Sequence, residues 1–379
     1  MRGSTIKRGS TWTAYWSTTD SATGKRRQHS KGGFRTQAEA QMQLNRVLPK
    51  VDDGSFRPDH PLTVKQLLVD HWLPAQKSRQ LRPATLAQYG AVVDHWIIPR
   101  IGEVRVAGLT PAVVDEMVEG MRTETSARGR KGLSARSTQL AVGVLKSACT
   151  WAVNNELMGR NPLSGVQRPK VVGTPMKSWT EDQARRFLSA TKSDRLGFAW
   201  ALLLTRGLRR GELCGLRWAD VDLDGGVLVV NRTRVVVDGK TIDSSPKTAA
   251  GRRPVPLDSS LVGILKSHKA RQARERLGAG EAYRDGDYLL SNELGAAYHP
   301  DSVSQWFDDA VKASGLPRIR LHDTRHTAAS LMLAAGTPTK VVSDLLGHAS
   351  PTITLAIYAH TLPGMAEEAG ERLSGRLLG

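Results

Sequence analysis

Two cysteines in 379 residues are too few for a disulfide framework, and neither Cys149 nor Cys214 has a second Cys or a His beside it at metal-ligand spacing, which also argues against a zinc-built fold. A reducing cytoplasm is the expected compartment. Acidic side chains are scarce too: 36 Asp and Glu stand against 54 Lys and Arg, a formal net charge of +18. Such an excess implies a polyanionic partner, nucleic acid before an anionic membrane surface. No stretch approaches the roughly 18 apolar residues that a membrane span needs. The first residues, Met1-Arg-Gly-Ser-Thr-Ile-Lys-Arg8, lack the apolar region of a secretory signal. A soluble, non-secreted chain associated with the nucleoid is therefore expected. Aromatics are only 5% of the chain, but 40% hydrophobic and 24% charged content are ordinary for a folded protein and exclude wholesale disorder. The absence of a fixed-period repeat or low-complexity tract removes solenoids and linker arrays.

What is present is a chain long enough for two or three domains, with its positive charge placed unevenly. Residues 1–60 carry 11 basic against 5 acidic side chains, residues 61–172 carry 15 against 8, and residues 173–379 carry 28 against 23. The front of the chain is thus suited to phosphate backbone, and the remainder to another task.

Thr11-Trp-Thr-Ala-Tyr-Trp16 alternates as a half-buried strand does, and the following Thr-Asp-Ser-Ala-Thr-Gly-Lys turns into a basic strand. Thr36 and Glu39 form a capping-box pattern before a helix carrying Ala38, Ala40, Met42, Leu44 and Val47. Residues 52–61 are polar, rich in breakers and predict a linker. Helical patterns follow: Thr63 with Gln66 caps one, Thr85 starts another, Thr110-Pro111 gives an N-cap with Pro at the first helical position, and a fourth covers roughly Thr138 to Asn154. Between the last two, Thr123 to Ser134 is a basic loop, and Pro162, Pro169 and Pro175 mark a second linker. A capping box at Thr180 and Gln183 opens the last segment. There helices are interrupted by strand-like Gly226–Asn231 and Thr233–Val237, an Asp238-Gly239 hairpin signal, and Pro254–Leu257 closing the sheet.

Four motifs in this segment carry chemistry. GLRRGEL sets Arg209 beside glycines, with Glu212 three residues on, where it orients Arg209 or bonds nearby backbone; a guanidinium so held is a rigid fork for phosphate. Taken alone, the pattern is more often a capped helix start with a surface arginine. LHDTRHTAASLMLAAG opens a helix with His322 and Arg325 three apart on one face. A zinc reading of His322 and His326 fails, because Asp323 stands where a zinc-hydrolase helix has Glu and no third ligand is evident. LLGHASPTITLAIYAH supplies His348 at a helix end and Tyr358 ten residues later, and PKTAAGRRPVPL puts Lys247 at a turn.

Together, running along the chain as Arg209, Lys247, His322 with Arg325, then His348 with Tyr358 across residues 180–362, these motifs closely resemble those of the tyrosine recombinases, the phage integrase family. Arg206 intervenes between Thr205 and Gly207 where many members have Thr-Gly, and the interval from His348 to Tyr358 is one residue longer than in some relatives. The resemblance implies a multidomain protein: a small α+β arm-type DNA-binding domain (1–58), an all-α core-site-binding domain (62–172), and a mainly α catalytic domain with a small antiparallel sheet (175–379). It further implies that Tyr358 attacks a DNA phosphodiester to form a 3′-phosphotyrosyl link. Arg209, Arg325 and His348 would stabilise the phosphorane, Lys247 would protonate the 5′-oxygen, His322 would manage the proton near the nucleophile, and Glu212 would support Arg209. The partners implied are double-stranded DNA at core and arm attachment sites, a homotetramer passing through a Holliday junction to integrate or excise a mobile element, and accessory bending and excision factors. Residues after Tyr358, with Met365, Ala366, Ala369 and Leu373 at near-helical spacing, would pack on a neighbouring protomer or on their own domain. Two alternatives remain: a non-catalytic DNA-binding regulator, and a type IB topoisomerase or telomere resolvase that shares the chemistry but not the basic N-terminal modules.

Because guanidiniums do the electrostatic work and no acidic cluster accompanies them, no metal or cofactor is expected. DNA cleavage by purified protein should survive saturating EDTA, and its abolition by chelation would overturn this mechanism.

Overall fold

In a computed structural model, the described residues are 3–19, 26–52, 62–124, 132–167, 177–245, 251–348, 350–358, 371 and 374–378. They form two compact units, residues 1–173 and 174–379. All of the expected linker at 52–61 except Asp52, which ends the first helix, most of the basic loop and most of the second linker lie outside the described residues, as do Lys247 and Met365, Ala366, Ala369 and Leu373.

The first unit begins with an antiparallel meander, β1 (Gly3–Arg8), β2 (Thr11–Thr19) and β3 (Arg26–Phe34), in spatial order β1-β2-β3. Helix α1 (Gln37–Asp52) lays Ala40, Leu44 and Val47 on Ala14 and Trp16, the i, i+4, i+7 stripe of a one-sided helix. Of the apolar residues expected on this helix, Ala38 and Met42 face water, and Met42 is 61% exposed. The Thr36 hydroxyl accepts from Glu39 N at 3.2 Å, but the Glu39 carboxylate accepts from Arg35 N at 2.9 Å rather than from Thr36. The cap is therefore staggered by one residue.

Four helical stretches follow: α2 over 64–78, α3 over 83–101, α4 (Pro111–Thr123) and α5 (Ala135–Asn154). They bury a separate core that includes Leu67, Trp72, Ile97, Met117 and Leu145. Thr63 and Gln66 make the full capping box, and the Thr110 hydroxyl accepts from Val113 N with Pro111 behind it. Two starts differ from expectation. α3 begins at Pro83, so Thr85 is already inside it, and α5 begins at Ala135 under a Ser134 cap. Thr138 instead is buried, its hydroxyl bonded to Ser134 O. In both cases an earlier residue with the right backbone, a proline at the first turn or a serine hydroxyl, takes the role. The tetrapeptide Val-Asp-His-Trp occurs at 69–72 and 93–96, and each copy falls in a π-wound stretch, Leu67–Trp72 or Val93–Ile97, ending two residues before Pro74 or Pro99. Proline lacks an N–H and crowds the carbonyl four residues back, and a widened turn relieves both problems.

The second unit packs α6 (Glu181–Ala190), α7 (Gly197–Arg206) and α8 (Arg210–Gly215), then β4 (Val221–Asp222), β5 (Val227–Val230), β6 (Thr233–Val237), β7 (Lys240–Ser244) and β8 (Arg253–Pro256). The helices α9 (Ser259–Ala279), α10 (Pro300–Ala313), α11 (Asp323–Ala334), α12 (Thr339–Leu346) and α13 (Pro351–Tyr358) complete it. Its core is aromatic at one end, where Trp179, Phe187, Trp200 and Phe307 meet at ring-centroid separations of 5.0–6.1 Å. The single sheet expected here is two: β4-β5-β8, and a separate β6-β7 hairpin. Pro254 and Pro256 make β8 an edge strand that pairs only with β5, so β6 cannot join on its far side. The hairpin turns at Asp238 and Gly239, both with positive φ (49° and 74°), as a two-residue primed turn demands. Among the described residues no helix is long and apolar enough to cross a membrane.

α7 ends on Gly207, whose φ of 61° and ψ of 33° are left-handed. The additional Arg206 is absorbed in the last turn of α7, paired with Asp258 and donating to Pro256 O at 2.7 Å. A Cβ at Gly207 would lie 2.4 Å from Leu346 Cδ2 on α12. Gly207→Ala therefore meets both left-handed strain and a collision, and should lower unfolding stability by about 2–4 kcal/mol in urea titrations. An unchanged midpoint would contradict this packing.

Candidate active site

Helix α12 ends at Leu346, and Gly347 caps it in the left-handed region, φ 66° and ψ 47°. The N–H groups of Gly347 and His348 turn back onto the carbonyls of Asp344 and Ser343, each at 3.0 Å. The carbonyls of Leu345, Leu346 and Gly347 stand beyond that closure, at the negative end of the helix dipole. Three arginines from three other segments take them. Arg253 Nε donates to Leu345 O at 2.6 Å, Arg325 Nη2 to Leu346 O at 2.5 Å, and Arg209 Nη2 to Gly347 O at 3.2 Å. Arg325 also donates through Nη1 to Gly207 O at 2.8 Å, which ties the end of α7 into the same knot.

Beneath this tripod lies Glu212, 1% exposed. Arg209 caps α8 with extended backbone, so its own N–H donates to Glu212 Oε2 at 2.9 Å while its Nη1 donates to Oε1 at 2.7 Å. Both alternatives expected of Glu212, orienting Arg209 and bonding backbone, are thus realised together. Arg253 completes the carboxylate with Nη1 and Nη2 bonds of 3.1 and 3.0 Å. Burial pushes the Glu212 pKa up, but the bonds and charge of Arg253, then Arg209, outweigh it and hold the carboxyl below its ordinary value. One buried anion between two guanidiniums leaves net positive charge at the floor of the site.

His348 follows the α12 cap, and its Nδ1 lies 2.8 Å from the hydroxyl of Thr354. Thr354 is fully buried on α13, one turn before Tyr358. Burial lowers the His348 pKa to about 4, with Arg325, Arg209, Arg253 and His326 adding electrostatic pressure in the same direction. At neutral pH this ring is therefore uncharged and holds one proton. His322 caps α11 at the mouth of a cavity of about 500 Å³ that also meets Arg210, Asp301 and Arg320. Its pKa is lowered by desolvation, then by His326 and Arg325, with Asp323 opposing and Arg209 adding. A neutral imidazole there can accept a proton.

Arg209, Glu212, His322, Arg325 and His348, spread over 140 positions of the sequence, thus share one electrostatic neighbourhood. Tyr358 is the last residue of α13, and its side chain lies outside the described residues. Sequence reasoning passed over Arg253. Its signal is the phase of β8, where Arg253 and Val255 are buried while Pro254 and Pro256 are exposed; a charged residue at an inward position requires a partner. His326 was dismissed as a metal ligand, and it packs edge to face on His322, centroids 5.3 Å apart. Among the described residues no group of three His, Cys, Asp or Glu side chains could hold a metal ion.

Comparison with known proteins extends these observations. Residues 177–364 match the Phage integrase family, residues 4–51 an Arm DNA-binding domain, and residues 66–121 a phage integrase N-terminal SAM-like domain. A tyrosine recombinase XerC-like protein of Caldanaerobacter subterraneus is 31% identical, over 65% of this chain and 67% of its own. The ICEBs1 integrase of Bacillus subtilis is 28% identical with the same coverage. Among solved structures, the Tn1549 transposon integrase in complex with a circular intermediate DNA superposes with a TM-score of 0.68 at 24% identity, covering 82% of this chain and 99% of that one. A lambda integrase tetramer bound to a Holliday junction gives 0.56 at 22%, covering 90% and 92%. These likenesses establish a common fold.

The lowered histidines set a pH dependence. A histidine whose folded pKa lies below its unfolded value binds its proton more readily when unfolded, so its contribution is complete above about pH 6.5. That contribution is lost as pH falls toward the folded value of about 4. Urea stability should decline between pH 6.5 and 4, and His348→Gln should flatten the slope. His268, likewise lowered to about 4 by burial, will sustain part of it; a variant with the wild-type slope would contradict the environment described for His348.

Proposed function

Because this chain belongs to the phage integrase family of tyrosine recombinases, we propose that it cleaves and rejoins DNA at specific sites through a 3′-phosphotyrosyl intermediate, with Tyr358 as nucleophile and Arg209, Lys247, His322, Arg325 and His348 as its catalytic partners. The observation that carries the assignment of residues is the gathering of Arg209, Arg325 and His348 around the end of α12, with His348 ten residues before Tyr358.

The chemistry follows from the side chains. A phenol of pKa about 10 is ionised to about one part in a thousand at neutral pH, so Tyr358 needs a cationic field and a base. His322 accepts the phenolic proton as the tyrosyl oxygen bonds to phosphorus. The bond to the 5′-oxygen then breaks, and Lys247 delivers the proton that oxygen requires. Charge accumulating on the non-bridging oxygens meets Arg209, Arg325 and the Nε2–H of His348, whose Nδ1 accepts from the Thr354 hydroxyl, each such donor worth roughly 3 kcal/mol in a preorganised site. The phosphotyrosyl ester conserves the energy of the broken bond, so a new 5′-hydroxyl reverses the step without ATP.

On this reading residues 62–172 hold the DNA flanking the cleavage point and residues 1–58 a distal arm site, in keeping with the charge of both segments. Four copies acting on two duplexes exchange strands through a Holliday junction to integrate or excise a mobile element in the cytoplasm, with bending and excision factors setting direction.

Tyr358→Phe should abolish covalent adducts on nicked suicide duplexes while gel-shift affinity changes less than about threefold. Sequencing the DNA trapped on the wild-type protein would identify the site. Adducts that persist in the variant would show that another residue is the nucleophile.

A further inference from the structure

Arg253 has no role in the chemistry just described, yet it is 5% exposed and its donor bonds go to parts that must hold still. Nε reaches Leu345 O on α12, and Nη1 and Nη2 grip Glu212 on α8. Nη1 also reaches Gly251 O at 3.3 Å, where the chain enters β8. Glu212 in turn fixes both the backbone and the guanidinium of Arg209, and the end of α12 leads directly into His348.

We propose that Arg253 is a positioning residue that sets the spacing between Arg209 and His348, one end of its guanidinium acting through Glu212 and the other through the Leu345 carbonyl. The inference rests on the roles proposed above for Arg209 and His348. Only a planar, forked cation satisfies the geometry. The two carboxylate oxygens of Glu212 need parallel donors, and the Leu345 carbonyl needs a third pointing the other way. Lysine carries the charge on a single nitrogen and spans only one of the two. The alternation along β8, with Arg253 and Val255 buried and Pro254 and Pro256 exposed, explains why the residue is delivered here: the strand turns every second side chain inward, and its edge position leaves the arginine free of ladder constraints on the far side.

The test uses the full-length chain and a nicked duplex bearing the site that the protein selects from random-sequence DNA, with Arg253→Lys and Arg253→Met beside wild type. In Arg253→Lys, duplex affinity should stay within about threefold. The single-turnover rate of covalent adduct formation at saturating protein should fall by roughly ten- to a hundredfold, the scale of an ångström-level misplacement. Arg253→Met should fall further. It should also move the acid limb of its pH–rate profile upward, because the charges facing His348 are reduced from Arg209, Arg253, Arg325 and His326 to three. A merely structural arginine would lower the folded fraction and leave the rate per folded molecule and its pH profile unchanged, and that result overturns the proposal. So does an Arg253→Lys enzyme that cleaves within threefold of wild type, or failure of both variants to fold. A wild-type chain that forms no adduct overturns the recombinase reading itself, before any Arg253 variant is compared.

Discussion

A helix that ends in the interior exposes carbonyl oxygens that must be paired, and the end of α12 depends on that requirement. Leu345, Leu346 and Gly347 present three consecutive acceptors, and Arg253, Arg325 and Arg209 supply one donor group to each. Leaving a buried acceptor unpaired costs about 1–3 kcal/mol, so the fold has a strong reason to bring these segments together. The left-handed glycine at 347 is what aims the carbonyls outward, and the left-handed glycine at 207 is what allows α7 to approach Leu346. Two backbone positions and three side chains thereby define the floor of the site.

The same arrangement concentrates cationic charge without leaving it unbalanced. Glu212 neutralises one arginine equivalent from within, and its removal would leave the buried Arg253 guanidinium without its counter-ion. The surplus is what a phosphorane needs, and it adds to the burial that holds His348 neutral. Stability and chemistry therefore draw on one set of contacts, and the helix dipole, the buried carboxylate and the lowered histidine are three consequences of it. The Thr354 hydroxyl carries the connection onto α13, the helix that ends in Tyr358.

Much of the local structure was legible in residue order. Capping boxes at Thr63 and Thr180, the N-cap at Thr110 and the turn at Asp238-Gly239 appear where short-range chemistry puts them, because each is satisfied by atoms within a few residues. The errors arose where neighbours compete or where partners are distant. Thr85 and Thr138 were read as helix starts, but a proline at 83 and a serine at 134 were equally valid and came first. Met42 looked like a core residue by its chemistry, yet the helical phase set by Ala40, Leu44 and Val47 points it at water. The division of the expected sheet into two followed from β8 pairing with β5, a choice that no local pattern announces.

By itself the sequence determined the kind of chemistry available: guanidiniums, imidazoles, a carboxylate three residues from an arginine, and a tyrosine in a fixed order. Order and spacing specify which groups exist and which turns they sit on, since those depend on φ, ψ and bonds spanning a few residues. Only the tertiary structure decided that Arg253 joins the set, that Glu212 serves two arginines, and that burial lowers the His348 pKa to about 4. Those properties arise from contacts across 40 to 140 positions and from water excluded by packing. Such contacts exist only once the chain has closed on itself.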